Sequence, residues 1–135
     1  MSNFKNNERL ITRKTAEKLK ALGFNWQCQY YYHGYMNSIV DSVKKHGKPY
    51  TNDDVDFSAP TQDVVQRWLR EKVGVLFEVL WKFTNPDVQY YCKLFYKGTF
   101  YETELNPYYD EAREYGIIKA LELIEEQIEK YKNII

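Results

Sequence analysis

The chain has 135 residues, of which 44% are hydrophobic and 17% aromatic, and its 19 Lys and Arg equal its 19 Asp and Glu, so the formal net charge is zero. This composition excludes a disordered chain and predicts a single domain over residues 1–135, with residues 1–9 flexible. No apolar run matches a membrane span, the start does not resemble a secretory signal, and two cysteines are too few for a disulfide scaffold. We therefore expect a cytoplasmic protein with no membrane partner.

The first predicted element is a helix over residues 12–22, because Thr12 can cap it and Gly23 suits the position after its end. Apolar residues with helical spacing support it, namely Ala16, Leu19 and Leu22. The aromatic segment that follows predicts strands over residues 27–40. His33-Gly34 is predicted to form a two-residue hairpin turn between Tyr30-Tyr31-Tyr32 and Tyr35-Met36.

The polar residues 41–57 are expected to form a long surface loop. A second helix is predicted over residues 61–73, with Ala59 as its cap and Gly74 at its end. Its apolar stripe consists of Val64, Val65, Trp68 and Leu69.

Three strands are predicted next, over residues 75–83, 88–97 and 99–104, and they form an antiparallel meander. Alternation along the first strand indicates one fully buried face, so Phe77 and Trp81 are expected in the core together with Trp68. The last helix is predicted over residues 107–132, with Asn106 as its cap and Pro107 at its first position.

The predicted fold class is therefore α+β. An antiparallel β-meander of about three to five strands, extended by the hairpin at residues 27–40, packs against the helices at residues 12–22, 61–73 and 107–132.

The last helix carries a heptad pattern, with intervals of 4, 3, 4, 3 and 4 residues between Ile117, Leu121, Ile124, Ile128, Tyr131 and Ile135. Core packing along the whole helix would explain the pattern. Alternatively the second half, with residues 125–135 as a helical extension, self-associates through Ile124, Ile128, Tyr131 and Ile135.

The charges are unevenly distributed, since residues 1–50 have a net charge of +6, residues 51–100 of −1 and residues 101–135 of −5. Solvated helix faces or contact between the ends would explain this. A basic patch for an anionic ligand is the third reading, with Lys14, Lys18, Lys20, Tyr30 and Tyr32 as candidate binding residues.

Paired tyrosines allow two interpretations. Tyr30-Tyr31-Tyr32, Tyr90-Tyr91 and Tyr108-Tyr109 place rings on both sides of their elements, so they form either a core rim or a surface for a partner. Nucleic acid is an unlikely partner, because the glycine-spaced aromatic motifs of RNA-binding domains and Cys/His fingers are absent.

The sequence contains no catalytic motif. Cys28 and His33 supply two metal ligands at most, His46 is expected to be solvated, and Cys92 is expected to be a small buried hydrophobe. No Gly-rich phosphate loop or nucleophile elbow is present. We therefore expect no enzyme activity, no metal and no cofactor.

The start of the second helix carries a resemblance. It reads Ser58-Ala59-Pro60-Thr61-Gln62, followed by Gln66 and then Trp68-Leu69-Arg70-Glu71. Here, and over about residues 10–124, the chain resembles a group of small uncharacterised proteins of gut bacteria and their phages. Further segments similar to that group are Gly23-Phe24, Trp26 to Tyr35, Tyr90-Tyr91-Cys92 and Tyr109-Asp110-Glu111-Ala112.

The resemblance implies a phage or prophage context and, for a phage-encoded protein, the host cytoplasm. Small accessory proteins of this kind often act by binding a host protein. The leading hypothesis is thus a non-enzymatic interaction or regulatory protein that self-associates through its C-terminal helix. The alternative is a binder of a nucleotide-like anion or of nucleic acid, through the basic first helix and its tyrosines.

Overall fold

The computed structural model describes residues 9–34 and 38–134, with the side chain of Ile134 excepted. Over these residues the chain forms two antiparallel three-stranded sheets and four α-helices, the last of them long, which confirms the predicted α+β class. Residues 1–64 and 65–135 form two compact units. Three predictions lie wholly or mostly outside the described residues, and they concern the flexible segment at residues 1–9, the strand at Tyr35-Met36 and the interface residue Ile135.

Helix α1 (Arg13–Ala21) forms for the reasons predicted from the sequence. The Thr12 hydroxyl accepts a hydrogen bond from the N–H of Thr15 at 3.3 Å, which satisfies one of the donors that a helix start leaves free. Gly23 follows the last turn with φ of 92°. Ala16 and Leu19 are fully buried, so the apolar stripe of the helix faces the core.

The first sheet has β1 (Tyr30–Tyr32) at its centre, paired with β2 (Ile39–Asp41) and β3 (Phe57–Ser58). The sequence predicts that this hairpin extends the meander, and that prediction is wrong. Both edges of β1 are paired with strands within residues 1–64. The two sheets therefore share no strand.

The predicted two-residue turn at His33-Gly34 is also wrong. Tyr32 pairs with Ile39, so the connection between β1 and β2 spans residues 33–38. The N–H of Gly34 donates to the Asp56 carboxylate at 2.7 Å. Gly34 therefore bonds to the segment before β3 instead of closing a two-residue turn.

Residues 41–57 are more ordered than the predicted surface loop. Helix α2 (Ser42–His46) begins at Asp41, whose carboxylate accepts from the N–H of Lys44, and ends at Gly47, which has φ of 81°. The sequence does not predict this helix, because its five residues carry no apolar stripe.

A buried asparagine holds the rest of that segment. Asn52 donates through Nδ2 to the Phe24 carbonyl at 2.8 Å and accepts through Oδ1 from the N–H of Ser58 at 2.7 Å. Both bonds are buried, so Asn52 fastens the loop to the segment before β1 and to β3.

Helix α3 (Gln62–Trp68) continues into one π-helical segment, Leu69–Val73. Its cap is Thr61, whose hydroxyl accepts from the N–H of Val64 at 3.3 Å. The predicted cap, Ala59, instead directly follows β3, and its N–H donates to the Tyr30 carbonyl of β1.

The second sheet is the predicted meander, with β4 (Leu76–Phe83), β5 (Val88–Tyr96) and β6 (Thr99–Glu102) in that order. Helix α4 (Tyr109–Ile134) packs on β5 and β4. It begins two residues later than predicted, because the side-chain Oδ1 of Asn106 accepts from the N–H of Tyr108 and holds a turn before the helix. The buried residues of α4 include Ala112, Ile117, Ala120, Leu121 and Ile124.

The predicted core position of Trp81 is wrong. Trp68 and Phe77 are buried as expected, but the Trp81 side chain is 67% exposed and Phe83 is 59% exposed. Trp81 pairs with Tyr90. The first residue of α4, Tyr109, has its ring 5.6 Å from the Tyr90 ring, so the helix begins beside this pair. The strand therefore continues past the helix that covers its other half.

Candidate functional site

Helix α4 lies along β5 but is displaced towards one end of the sheet. Its first turn contacts Tyr90, and one turn later the Cys92 thiol donates to the Ala112 carbonyl at 3.1 Å. Near the end of β5, residues of α4, β5 and β6 line a cavity of about 230 Å³, among them Tyr96, Tyr101, Leu123, Gln127 and Lys130. Past Ile124 the seam face of the helix has no sheet beneath it, since Ile128 and Tyr131 are exposed.

The free end of α4, residues 126–133, is here named the helix overhang. Every side chain in it is exposed. Ile128 is 41% exposed and Tyr131 63%, although both lie on the heptad seam. Ile124, another predicted interface residue, is 8% exposed and packs inside the fold. The structure thus places Ile128 and Tyr131 together on a free surface and assigns Ile124 to the core.

The opposite end of the second sheet has the converse arrangement. Trp81, Phe83 and Val88 extend beyond the start of α4 and are exposed by 67%, 59% and 39%. These three residues are here named the sheet overhang. Phe83 pairs with Val88 across the hairpin, so they form one continuous apolar surface next to Trp81. Exposed Trp and Phe side chains at such density are typical of interaction surfaces.

The tyrosine clusters divide between core and surface. Tyr31 and Tyr32 are buried, and the Tyr32 hydroxyl donates to the Ile11 carbonyl at 2.6 Å. Tyr108 and Tyr109 are exposed by 63% and 47%. The first cluster is therefore structural, whereas the last lies on the surface at the start of α4.

The candidate anion-binding lysines do not converge. Lys14 and Lys18 are one helical turn apart on α1, whereas Lys20 lies on a different side of the same helix. The Lys20 ammonium donates to the carbonyls of Val55 and Asp56, at 3.2 and 2.8 Å, and lies 5.5 Å from the centre of the Phe57 ring. Lys20 thus holds the loop before β3.

A cavity of about 320 Å³ adjoins that contact. Arg13, Lys20, Gly34, Asp56 and Phe57 line it. Its two cations are already engaged, since Arg13 forms an ion pair with Glu17 at 3.1 Å and lies over the Phe57 ring. Of the candidate ligand residues Tyr30 and Tyr32, the first is half-buried and the second has its hydroxyl bonded inside the core.

Gln66 of α3 has a role that the sequence does not predict. Gln66 donates through Nε2 to the Phe77 carbonyl at 2.7 Å, and its Oε1 accepts from the Arg113 guanidinium at 2.9 and 3.1 Å. One side chain therefore connects α3, β4 and α4. The sequence does not reveal this contact, because polar residues have the same helical spacing when they face solvent.

The side chains that the sequence offers for catalysis or metal binding are Cys28, His33, His46 and Cys92. Burial raises the pKa of the Cys28 thiol and of the Cys92 thiol to about 12, so neither is a nucleophile at neutral pH. His46 is not simply solvated, since its Nε2 lies 3.2 Å from the Tyr31 hydroxyl and its ring stacks on Tyr50. Among residues 9–34 and 38–134, no group of three His, Cys, Asp or Glu side chains could hold a metal.

Comparisons with known proteins found no matching family model, curated protein or solved structure. No α-helix in the described part of the chain is both long enough and apolar enough to cross a membrane.

Proposed function

We propose that this protein is a non-enzymatic interaction protein that self-associates through the helix overhang. The observation that carries the proposal is the displacement of α4 along its sheet, which leaves Ile128 and Tyr131 uncovered on the seam. The helix overhang has about two turns, and its apolar seam residues are not covered by the sheet. Helical turns of this kind gain most of their stability from packing against another surface. A second copy offers the same seam in a closed twofold arrangement.

The charges of the helix overhang favour an antiparallel arrangement of the two helices. Glu122, Glu125 and Glu126 precede Ile128, Glu129 and Lys130 lie between Ile128 and Tyr131, and Lys132 follows Tyr131. An antiparallel pair therefore places the acidic part of each helix beside the basic part of the other. A parallel pair would place like charges together.

This proposal includes the phage context and cytoplasmic location that the resemblance implies. In that setting the assembled protein acts by binding a host protein. Binding of a nucleotide-like anion or of nucleic acid through Lys14, Lys18, Lys20, Tyr30 and Tyr32 is less well supported, because Lys20 is engaged with two carbonyls and Tyr32 is buried.

The test is a charge placed on the seam. The unmodified chain is expected to be a dimer or larger by light scattering at tens of micromolar. Ile128→Glu should weaken association at least tenfold, because burying an isoleucine contributes about 1.5–3 kcal/mol and the new carboxylate would be desolvated.

Asn133→Glu is the matched control, since it adds the same charge at an exposed position of the same helix that lies away from the heptad seam. It should leave the oligomeric state unchanged. A monomeric unmodified protein, or an equal effect of the two variants, would contradict the proposal. Circular dichroism of both variants establishes that they are folded.

A further inference from the structure

The outer edge of β4 presents unpaired backbone groups. In β5, the backbone N–H groups of Tyr90 and Cys92 bond to Asn106 and Thr103, on the side away from β4. The alternate residues of β5 therefore bond to β4, and they are Gln89, Tyr91 and Lys93, opposite Lys82, Leu80 and Glu78. By the same alternation, Phe77, Val79, Trp81 and Phe83 direct their N–H and C=O groups to the outer edge.

The Phe77 carbonyl agrees with this assignment, since it accepts from the Gln66 side chain outside the sheet. For Val79, Trp81 and Phe83, no hydrogen bond at the outer edge is found within the described part of the chain. The strand has eight residues, its register with β5 is uninterrupted, and it contains neither proline nor glycine. An edge of this kind readily pairs with another strand.

We propose that β4 pairs antiparallel with β4 of a second copy, about a twofold axis at Leu80. In this register Glu78 of each copy lies opposite Lys82 of the other, so the contact contains two oppositely charged cross-strand pairs. A shift of two residues in either direction places Glu78 opposite Leu80 or Thr84 and loses both pairs. The charge pattern of the strand is therefore self-complementary in one register.

The same register covers the sheet overhang. It places Trp81 opposite Val79 of the second copy, and Phe83 opposite Phe77. Each exposed end of β4 then lies beside the end that α4 covers in the other copy. The exposed fractions of 67% at Trp81 and 59% at Phe83 would fall on pairing.

The backbone contribution follows from the alternation. Val79 and Trp81 of one copy form hydrogen-bonded pairs with Trp81 and Val79 of the other, which adds about four ladder bonds. Gln66 already occupies the Phe77 carbonyl, so the ladder ends there. The β4–β5–β6 sheets of the two copies then form one sheet of six strands.

This contact is separate from the helix overhang and does not depend on the proposed function. If both twofold contacts form, each copy binds two others through different surfaces, and the assembly is larger than a dimer. If one contact fails, the other still produces a dimer.

Cysteine cross-linking tests the register. Glu78→Cys and Lys82→Cys are exposed substitutions, and in the proposed register their Cα atoms lie about 4.5 Å apart across the two copies, within disulfide range. A mixture of the two variants should form a covalent dimer under mild oxidation. Each variant alone should not, because its own cysteines are separated by four residues along the strand, about 13 Å.

Cys28 and Cys92 are buried and do not compete in this reaction. Equal cross-linking in each variant alone, or none in the mixture, would overturn the proposal. The result is independent of Ile128→Glu, which affects the other contact.

Charge reversal provides a second readout without cysteine. Glu78→Lys and Lys82→Glu each create two like-charge pairs and should weaken the β4 contact about tenfold. The double variant restores opposite charges and should regain the original affinity. Because both side chains are exposed, folding should be unaffected. Failure of the double variant to recover association would refute the register.

Discussion

Gly116 lies where α4 packs against β5 and leaves no space for a side chain. A Cβ atom there would lie 2.4 Å from the Cys92 sulfur and 2.9 Å from the Cys92 Cβ. Ala112 and Ala120, one turn before and after it, are fully buried as well. Small side chains at this spacing let the helix axis approach β5, so the glycine is required for its size and not for its backbone freedom.

Gly116→Ala is therefore expected to destabilise the protein by about 1–3 kcal/mol through overpacking, although alanine favours helix formation over glycine by about 1 kcal/mol. Denaturant unfolding measures the change. Glu122→Ala, at an exposed position of the same helix, should be nearly neutral. Cys92→Ala combined with Gly116→Ala should recover part of the loss, since it removes the nearest atom. Additive losses in the double variant would show that the sulfur is not the obstacle.

At the scale of elements, the α3–β4–α4 contact depends on one amide. Gln66 bonds the Phe77 carbonyl with its nitrogen and the Arg113 guanidinium with its oxygen. Arg113 is 9% exposed, so its acceptor cannot easily be replaced by water. The amide fits because it supplies a donor and an acceptor at once, which a carboxylate or an amine does not.

Gln66→Met keeps the length of the side chain and removes both functions. It should cost about 2–3 kcal/mol, because it breaks a bond to a charged group and leaves the Phe77 carbonyl with one partner fewer. Thermal or denaturant unfolding measures this cost. Gln127→Met, at an exposed position of α4, should change stability by less than about 0.5 kcal/mol. A similar effect at both positions would mean that the Gln66 contact contributes little.

For the whole molecule, the displacement of one layer along the other has the largest consequence. The helix extends past the sheet at one end and the sheet extends past the helix at the other, so each end exposes apolar residues. Ile128 and Tyr131 are exposed at the first end, and Trp81 and Phe83 at the second. The two proposed contacts are the two ways in which a second copy would cover these ends.

Each compact unit also contains one buried thiol, and together the thiols predict how stability depends on pH. Burial raises the pKa of Cys28 and Cys92 from the ordinary 9.0 to about 12. Between these values the unfolded chain binds fewer protons than the folded chain, so the free energy of unfolding falls as pH rises. The contribution is complete below pH 9 and is lost as pH approaches 12.

The unfolding free energy should therefore be steady from pH 7 to 8.5 and should decline above pH 9. Cys92→Ala lowers stability at every pH by leaving a cavity, but its decline should be shallower than that of the unmodified chain. A parallel decline in both proteins would exclude the thiol as a cause. As an independent check, a thiol reagent at pH 8 should leave the folded protein unmodified and react with both cysteines after unfolding.

Sequence alone determined the elements whose signals are local. The meander was predicted because alternation and turn residues lie within one strand or one turn, and α1 was predicted because Thr12 and Gly23 mark its ends. The α+β class followed from these elements. The sequence does not predict α2, which is too short to show a periodic pattern. It predicts Ala59 as the cap of α3 from the position of Pro60, whereas the cap is Thr61, whose hydroxyl accepts the hydrogen bond.

Only the tertiary structure decided which apolar residues are covered. Trp81 and Phe77 occupy equivalent positions in one alternating strand, and the sequence pattern treats them alike. They differ because α4 begins beside Tyr90 and leaves Trp81 exposed. Ile124 and Ile128 likewise share one seam, but the sheet ends between them. Periodicity reports which face of an element is apolar, whereas burial depends on how far the neighbouring element extends, and that length is set by packing between distant residues.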